Sequence, residues 1–422
     1  MGPMWGKFLA KDRSIDVAMV AGGFGASELF QFLRDGEPRT RAELAQLTGL
    51  ARSTISLRID ELLQHGLISP VGEAVSTGGR PPAQIALNPG ARVVVAADLG
   101  VTHGRVAITD LSGEVLSHVL ADLAIASGPV EVLDWLALTI KKLLIEAGRP
   151  LPDLVAVGIG LPGPVEHESG KPTNPPIMPG WDAFDVPAYL GETFPVPILV
   201  DNDVNIMALG ERAMGWPDAD DIIFVKVSTG IGSGIIGGGV LQRGAQGIAG
   251  DIGHIRIPRG AGIVCKCGNE GCLEAVAGSP AIIADLRSAG HDVSTVADLV
   301  ALVKSGDTGA IQAVRQAGRD IGEVLTVCVS IINPSVITIG GALAQAGEHI
   351  IAGVREVVYS RATPFAAEHL SIVQSRAGEM AGVAGASIMA VERALSPEGI
   401  DGMGPAKAAL KLAATWDQRT SA

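Results

Sequence analysis

Hydrophobic and polar positions divide the chain into two regimes. In the first, apolar residues recur at helical spacing: residues 27–36 and 41–48 read as two short helices. A third runs from about Arg52 to Gln64, where Ile55, Ile59, Leu62 and Leu63 share one face. Two strand-like pieces, Leu67–Val71 and Gln84–Leu87, follow, joined by Ser76-Thr77-Gly78-Gly79-Arg80-Pro81. From Arg92 the pattern changes to dense apolar runs of strand length. Val93 to Leu99 leads through Gly100-Val101-Thr102-His103-Gly104 into a returning strand. About 130 residues later, Asp221 to Val227 leads through Ser228-Thr229-Gly230-Ile231-Gly232-Ser233-Gly234 into another. Two strand, glycine-turn, strand units at this distance predict a duplicated α/β fold with a cleft between two lobes.

The order helix, turn, helix, β-wing predicts a winged helix-turn-helix over residues 27–88, whose last helix enters the major groove of DNA. Thr40-Arg41-Ala42-Glu43 is a capping box at the second helix, and Gly49 breaks the chain after it. Ala51 stands where a serine often caps a recognition helix, so that helix start lacks a side-chain acceptor. Ser53, Thr54 and Leu57 point away from the buried face, with Ser56 and Arg58 on the flanks and Arg52 at the helix start. The hydroxyls suit base edges or phosphates, and Leu57 suits a thymine methyl. Arg80, after two glycines, is the expected wing tip and suits a narrow A·T minor groove.

Charge sharpens this division. The formal net charge of the 422 residues is −13, yet residues 1–90 hold nine basic and nine acidic side chains. The whole acidic excess lies in the body, which repels phosphates and leaves DNA contact to aimed residues on the head. Hydrophobic residues at 47% and charged residues at 18% suit packed globular domains. The 55 glycines exclude neither lobe but announce many tight turns. No apolar stretch approaches the ~18 residues of a membrane helix. Lys7, Lys11, Asp12 and Arg13 interrupt any signal-peptide core, and a cytoplasmic protein is expected.

Three of four cysteines, Cys265, Cys267 and Cys272, fall within eight residues, after His254. One imidazole and three thiolates fit a closed tetrahedral zinc site, which is structural because protein fills every coordination place. Gly268 and Gly271 let the loop turn back. Cys328, in an apolar run, reads as a core thiol.

With its flanks Gly250-Asp251-Ile252-Gly253-His254 and Gly271-Cys272-Leu273-Glu274, the zinc segment resembles the signature of the ROK family (repressor, open reading frame, kinase). The resemblance extends to the Asp98 turn, Leu161-Pro162-Gly163-Pro164, Asn174 to Trp181 and Asp201-Asn202-Asp203-Val204-Asn205. It includes the Ser228–Gly234 turn and Val336-Ile337-Thr338-Ile339-Gly340-Gly341. It implies an actin-like ATPase (hexokinase, RNase H-like) fold: a first lobe over 89–202 completed by about 380–395, a second over 203–379 with the zinc site, an N-terminal extension over 1–26 and a tail over 396–422. It also implies that Gly163, Asn174, Asn202, Asp203, Asp251, His254 and Glu274 contact a sugar, His254 binding zinc through one ring nitrogen and facing the sugar with the other.

Members of this family with a winged helix are usually sugar-responsive regulators acting as homodimers or homotetramers on operator DNA, and those without one are usually ATP-dependent sugar kinases. In a kinase, the resemblance makes Asp203 the general base. Asp98, Gly100, Thr102, Thr229, Gly230, Gly232, Gly340 and Gly341 would then hold ATP and Mg2+. Here Val101 replaces the second of two adjacent glycines, Ser228 and Ser233 stand where glycine is usual, and Asp251 replaces glutamate. Val101 narrows the approach open to a phosphate. These departures favour a regulator, in which sugar closes the lobes and shifts the winged helices off their half-site spacing, over a kinase or a bifunctional protein.

Overall fold

The computed structural model describes residues 24–73 and 82–403. The expectations for residues 1–23, for the wing tip at Arg80 and for the tail beyond residue 403 lie outside these residues. The head comprises α1 (Ala26–Gln31), β1 (Arg39–Thr40), α2 (Arg41–Thr48), α3 (Arg52–His65), β2 (Ile68–Glu73) and β3 (Ala83–Leu87). Its capping box closes: the Glu43 amide donates to Thr40 Oγ1 at 3.2 Å and the Thr40 amide to Glu43 Oε2 at 2.7 Å. Ala51 caps α3 without a side-chain bond. Leu29, Phe30, Leu33, Leu44, Ile55, Ile59 and Leu62 form one core, and Leu63, expected within it, is half-buried at its edge.

Two features of the head differ from the pattern. The first helix, expected to reach residue 36, ends at Gln31 because the next amides bond only three residues back, Leu33 to Phe30 at 2.8 Å and Gly36 to Leu33 at 3.1 Å. Asp35 then receives the Glu37 amide at 3.0 Å and Arg39 Nη1 at 2.6 Å, which turns the chain. The unexpected β1 pairs antiparallel with β3, Arg39 opposite Ile85, and completes a sheet of order β1-β3-β2.

Two five-stranded sheets of one topology form the body. The first contains β4 (Val93–Leu99), β5 (His103–Asp110) and β6 (Val115–Asp122), then, after α4 (Pro129–Glu146), β7 (Leu154–Leu161). A short hairpin, β8 (Val165–Glu166) and β9 (Lys171–Pro172), and α5 (Val186–Gly191) precede β10 (Ile198–Asn202). Through α6 (Asp203–Gly215) the chain enters the second sheet with β11 (Ile222–Val227), β12 (Ile231–Gly237) and β13 (Val240–Leu241). Helices α7 (Leu273–Ala277), α8 (Ser279–Ser288), α9 (Val296–Lys304) and α10 (Thr308–Ile332) lead to β14 (Val336–Gly340). Then come α11 (Glu348–Arg361), α12 (Pro364–Ala367) and β15 (Ser371–Gln374). The orders β10-β7-β4-β5-β6 and β15-β14-β11-β12-β13 are equivalent. In each, the first strand of the glycine-turn unit is antiparallel to its hairpin partner and parallel to the strand on its other side. This is the duplicated α/β arrangement that the repeated pattern predicted, and it agrees with the actin-like fold that the family resemblance implied.

Between the sheets lie two helices. α6 covers β11 and β12, while α13 (Ala381–Ala394) covers β4 and β7, and the two pack against each other. A Cβ on Gly210 would fall 2.0 Å from Ala381 O, and one on Gly385 would fall 1.7 Å from Ile206 O. No side chain fits at either place, so these glycines set how closely the lobes approach.

Residue 396 does not begin a tail. Ser396 Oγ receives the Gly399 amide at 3.1 Å and caps α14 (Pro397–Gly402), whose Ile400 is buried in the core shared with α1. Gln31 Nε2 donates to Leu395 O at 2.9 Å, and Arg92 Nη2 donates to His65 O at 3.2 Å. α13 therefore runs from the lobe interface to the head. Cys328 is half-buried at the rim of the second lobe's core and not inside it, because its α10 neighbours Val327 and Ile331 face outward. Among the described residues no helix is long and apolar enough to cross a membrane.

Alanine normally stabilises an exposed helix interior relative to glycine by about 1 kcal/mol. Gly385→Ala is expected to do the reverse, lowering stability by about 3 kcal/mol through overpacking. A urea midpoint that rises would contradict this packing.

Candidate functional site

A cleft of about 710 Å³ opens between the lobes, within the range of roughly 300–1,000 Å³ typical of small-molecule sites. The first lobe contributes Gly163 and Asn174, the start of α6 contributes Asn202 and Asp203, and the second lobe contributes Asp251, His254 and Glu274. All seven residues expected at a sugar therefore line one cavity. Their freedom differs. Asn202 caps α6, its Oδ1 receiving the Val204 amide at 2.9 Å, and its Nδ2 donates to Gly163 O at 2.8 Å. Both ends of this amide are thus engaged in holding the cleft wall. Asn174, at φ 43°, is exposed and anchors its own amide on Asp182 Oδ1 at 2.8 Å. Asp251 is exposed at the rim, with Oδ1 4.0 Å from His254 Nε2, and desolvation raises its pKa.

One of the protein's own side chains stands over each glycine turn. A Cβ on Gly100 would lie 2.3 Å from the His103 ring, which packs over the first turn. In the second turn, Glu274 Oε2 receives the Ile231 amide at 3.0 Å and stands over Gly230, where a Cβ would meet it at 2.7 Å. A carboxylate thus takes a backbone donor that a phosphate would need. Thr102, Thr229, Gly230 and Gly232 line the cleft. Gly340 and Gly341 do not: they end β14 against Phe224 and Val227. Asp98 is buried at the end of β4, beneath the cleft, and burial is the main cause that raises its pKa.

Two residues without an expected role hold this floor and its edge. Lys226 Nζ donates to Asp203 Oδ2 at 2.5 Å. The fields of Asp203 and Asp98 outweigh the desolvation of the ammonium and raise its pKa. Its signal was visible as the one charge in the apolar strand Ile222 to Val227. The second is Asp201, buried at 1% exposure. Its Oδ1 receives the Asn202 amide at 2.8 Å and Asn205 Nδ2 at 2.7 Å, and its Oδ2 receives Arg243 Nε at 2.7 Å. His167 Nδ1 stands 3.4 Å from the same oxygen, and its pKa is lowered by burial and then by Arg243. Arg243 follows β13, so this pair ties the second lobe to the first.

Beside the cleft, ligand atoms of His254, Cys265, Cys267 and Cys272 all lie within 4.8 Å of one another. Cys267 Sγ to Cys272 Sγ is 3.7 Å, as is Cys265 Sγ to His254 Nδ1. A tetrahedron with metal–sulfur bonds of about 2.3 Å has edges of roughly 3.8 Å, so the cluster fits a four-coordinate metal ion. Burial and the two neighbouring sulfurs push the Cys272 thiol up to about 12. Because Nδ1 faces the sulfurs, Nε2 is left facing the cleft beside Asp251.

On the head, Arg52, Ser53 and Leu57 are exposed on the outer face of α3, with Leu57 at 63%, and Thr54, Ser56 and Arg58 are partly exposed. Arg58 Nη1 pairs with Glu61 Oε2 at 3.3 Å on the same helix, a surface contact weak enough to be exchanged. Arg80 lies outside the described residues.

A model described as the ROK family matches residues 94–393, and one described as a helix-turn-helix domain matches residues 26–71. The chain is similar to the xylose repressor of Bacillus spizizenii, 28% identical over 368 residues that cover 87% of this chain and 94% of that protein. A solved ROK family transcriptional regulator, a homologue of the Escherichia coli MLC protein, superposes with a TM-score of 0.74 at 26% identity, covering 89% of this chain and 96% of that one. A ROK hexokinase from Thermus thermophilus superposes with a TM-score of 0.60 at 31% identity, covering 71% of this chain and 97% of its own.

Asp201→Asn removes the charge facing Arg243 while keeping the side chain's size. It is expected to cost about 2–3 kcal/mol, the scale of a charge-assisted hydrogen bond. An unchanged melting temperature would show that the interlobe tie carries no stability.

Proposed function

Because the chain belongs to the ROK family, we propose that it is a sugar-responsive transcriptional repressor, a homo-oligomer that grips operator DNA through its head and releases it when a sugar fills the cleft. One observation carries the reading: a head with an unobstructed outer face on α3 is joined through α13 and α14 to a cleft lined from both lobes. A polyol bridging Asn174 and Asp203 on one side and Asp251 and His254 on the other favours the closed form. It shifts the equilibrium only by the difference in its affinity for the two forms. α6 begins at the sugar contacts and packs on α13, so closure moves the element that supports the head.

In this reading the four-residue cluster holds a structural zinc. His254 Nδ1 and the three sulfurs supply every ligand, and the ion, when bound, cross-links the loop and fixes the imidazole. His254 Nε2 is then a hydrogen-bond partner of constant aim for a sugar hydroxyl. The kinase reading has Asp203 and the hexokinase likeness in its favour. Against it stand the side chains over both glycine turns and the ammonium already on Asp203. A cytoplasmic location belongs to the same reading, because the head must reach operator DNA.

Fluorescence anisotropy with DNA from upstream of the protein's own gene, repeated with pentoses, hexoses and N-acetylated sugars, tests the reading. Salt-sensitive binding that one sugar releases is expected. If no sugar releases the DNA or raises the melting temperature, the reading fails. Leu57→Ala is expected to weaken binding by about 1 kcal/mol, the loss of an apolar base contact, with no change in stability because the side chain is exposed. Metal analysis is expected to find one zinc per chain in the wild type and to find it lost in Cys267→Ser, together with a fall in sugar affinity.

A further inference from the structure

We infer that Lys226 is the resident cation of the cleft floor, set where Asp203 and Asp98 would otherwise gather a divalent metal ion, so that the cleft accepts a neutral ligand without one. The three groups come from separate elements: Lys226 from β11, Asp203 from the start of α6 and Asp98 from the end of β4. Their meeting is therefore a product of the lobe interface. Both carboxylates are buried, at 3% and 8% exposure, and the Lys226 side chain is 18% exposed. Asp98 packs directly on α13, since a Cβ on Gly382 would fall 2.1 Å from its Oδ2.

Two buried carboxylates in mutual repulsion need a positive charge, and two kinds could serve. A divalent ion brings its own charge from solvent and can in turn hold a phosphate chain. An ammonium on a strand is permanent and leaves no open coordination place. With Nζ at 2.5 Å from Asp203 Oδ2, an entering metal ion would have to displace the lysine from its counter-charge. Asp203 Oδ1 is left to accept a hydroxyl from the ligand, while Oδ2 is already occupied. The inference rests on reading the cleft as a sugar site. Its test uses neither sugar nor DNA, so the two can fail separately.

Manganese(II) titrated into the zinc-replete full chain and followed by electron paramagnetic resonance reads this directly. Binding at the floor is the part that Asp203→Asn or Asp98→Asn removes, which separates it from weak binding to surface acids. In wild type no such part is expected at millimolar metal. Lys226→Met is expected to create it, with affinity raised by about ten-fold or more over wild type. Lys226→Arg, which retains the charge, should behave as wild type. Lys226→Gln, close in size and still able to donate to Asp203, is expected to bind manganese as well and serves if the methionine variant does not fold. Floor binding by wild type equal to that of the variants overturns the inference, as do folded neutral variants that take up no metal there.

Discussion

The close contact of α6 with α13 is the constraint on which the rest of this molecule depends. At Gly210 and Gly385 backbone meets backbone with no room for a methyl group, so the two helices, each fastened to a different sheet, behave as one unit between the lobes. Interiors packed at this density transmit displacement and do not absorb it. The first residue of α6 is Asp203, and the last turn of α13 leads through Leu395 to the capped helix that buries Ile400 against the head. A ligand-binding wall and a DNA-binding module are thus connected through two rigid rods and one tight interface.

Charge placement gives that interface a polarity. At the edge of the cleft the lobes are joined by Arg243 with Asp201, and on its floor Lys226 of β11 holds Asp203 at the start of α6. In both pairs the cation comes from the second lobe and the buried carboxylate from the segment where β10 passes into α6. Such pairs contribute less through their attraction than through the penalty that any separation would incur, because a carboxylate buried without its partner is costly. The Arg243–Asp201 pair therefore narrows the set of lobe positions available without a ligand. The same logic applies at the glycine turns. Glu274 accepts the Ile231 amide of the second turn, and His103 packs over Gly100 of the first.

The cysteine loop acts at a different level. It contributes no strand to either sheet, and its backbone is tied by isolated bridges such as Arg256 with Cys272 and Val264 with Glu270. Its geometry comes from four ligand atoms meeting, which aligns His254 Nε2 on the cleft side. The loop thereby converts a local convergence of sulfur and nitrogen into a fixed polar contact at a site built from distant parts of the chain.

Local chemistry was legible in the amino-acid order. The Thr40 capping box, the apolar face of α3, the repeated strand-turn-strand units and the cysteine spacing each depend on residues close together in the chain, where short-range physics decides the outcome. The bend after Gln31 and the helix after Ser396 were not legible, since each is held by partners from elsewhere: Gln31 Nε2 by Leu395 O, and Ile400 by α1. Lys226 showed itself in the sequence only as a misplaced charge, and its two carboxylates lie 128 and 23 positions away along the chain. The residue order determined which groups exist and which elements they ride on. Which carboxylate meets which cation, and which glycine turn is covered, was decided only when two sheets closed on a pair of helices, because buried electrostatics depends on distances that sequence separation does not encode.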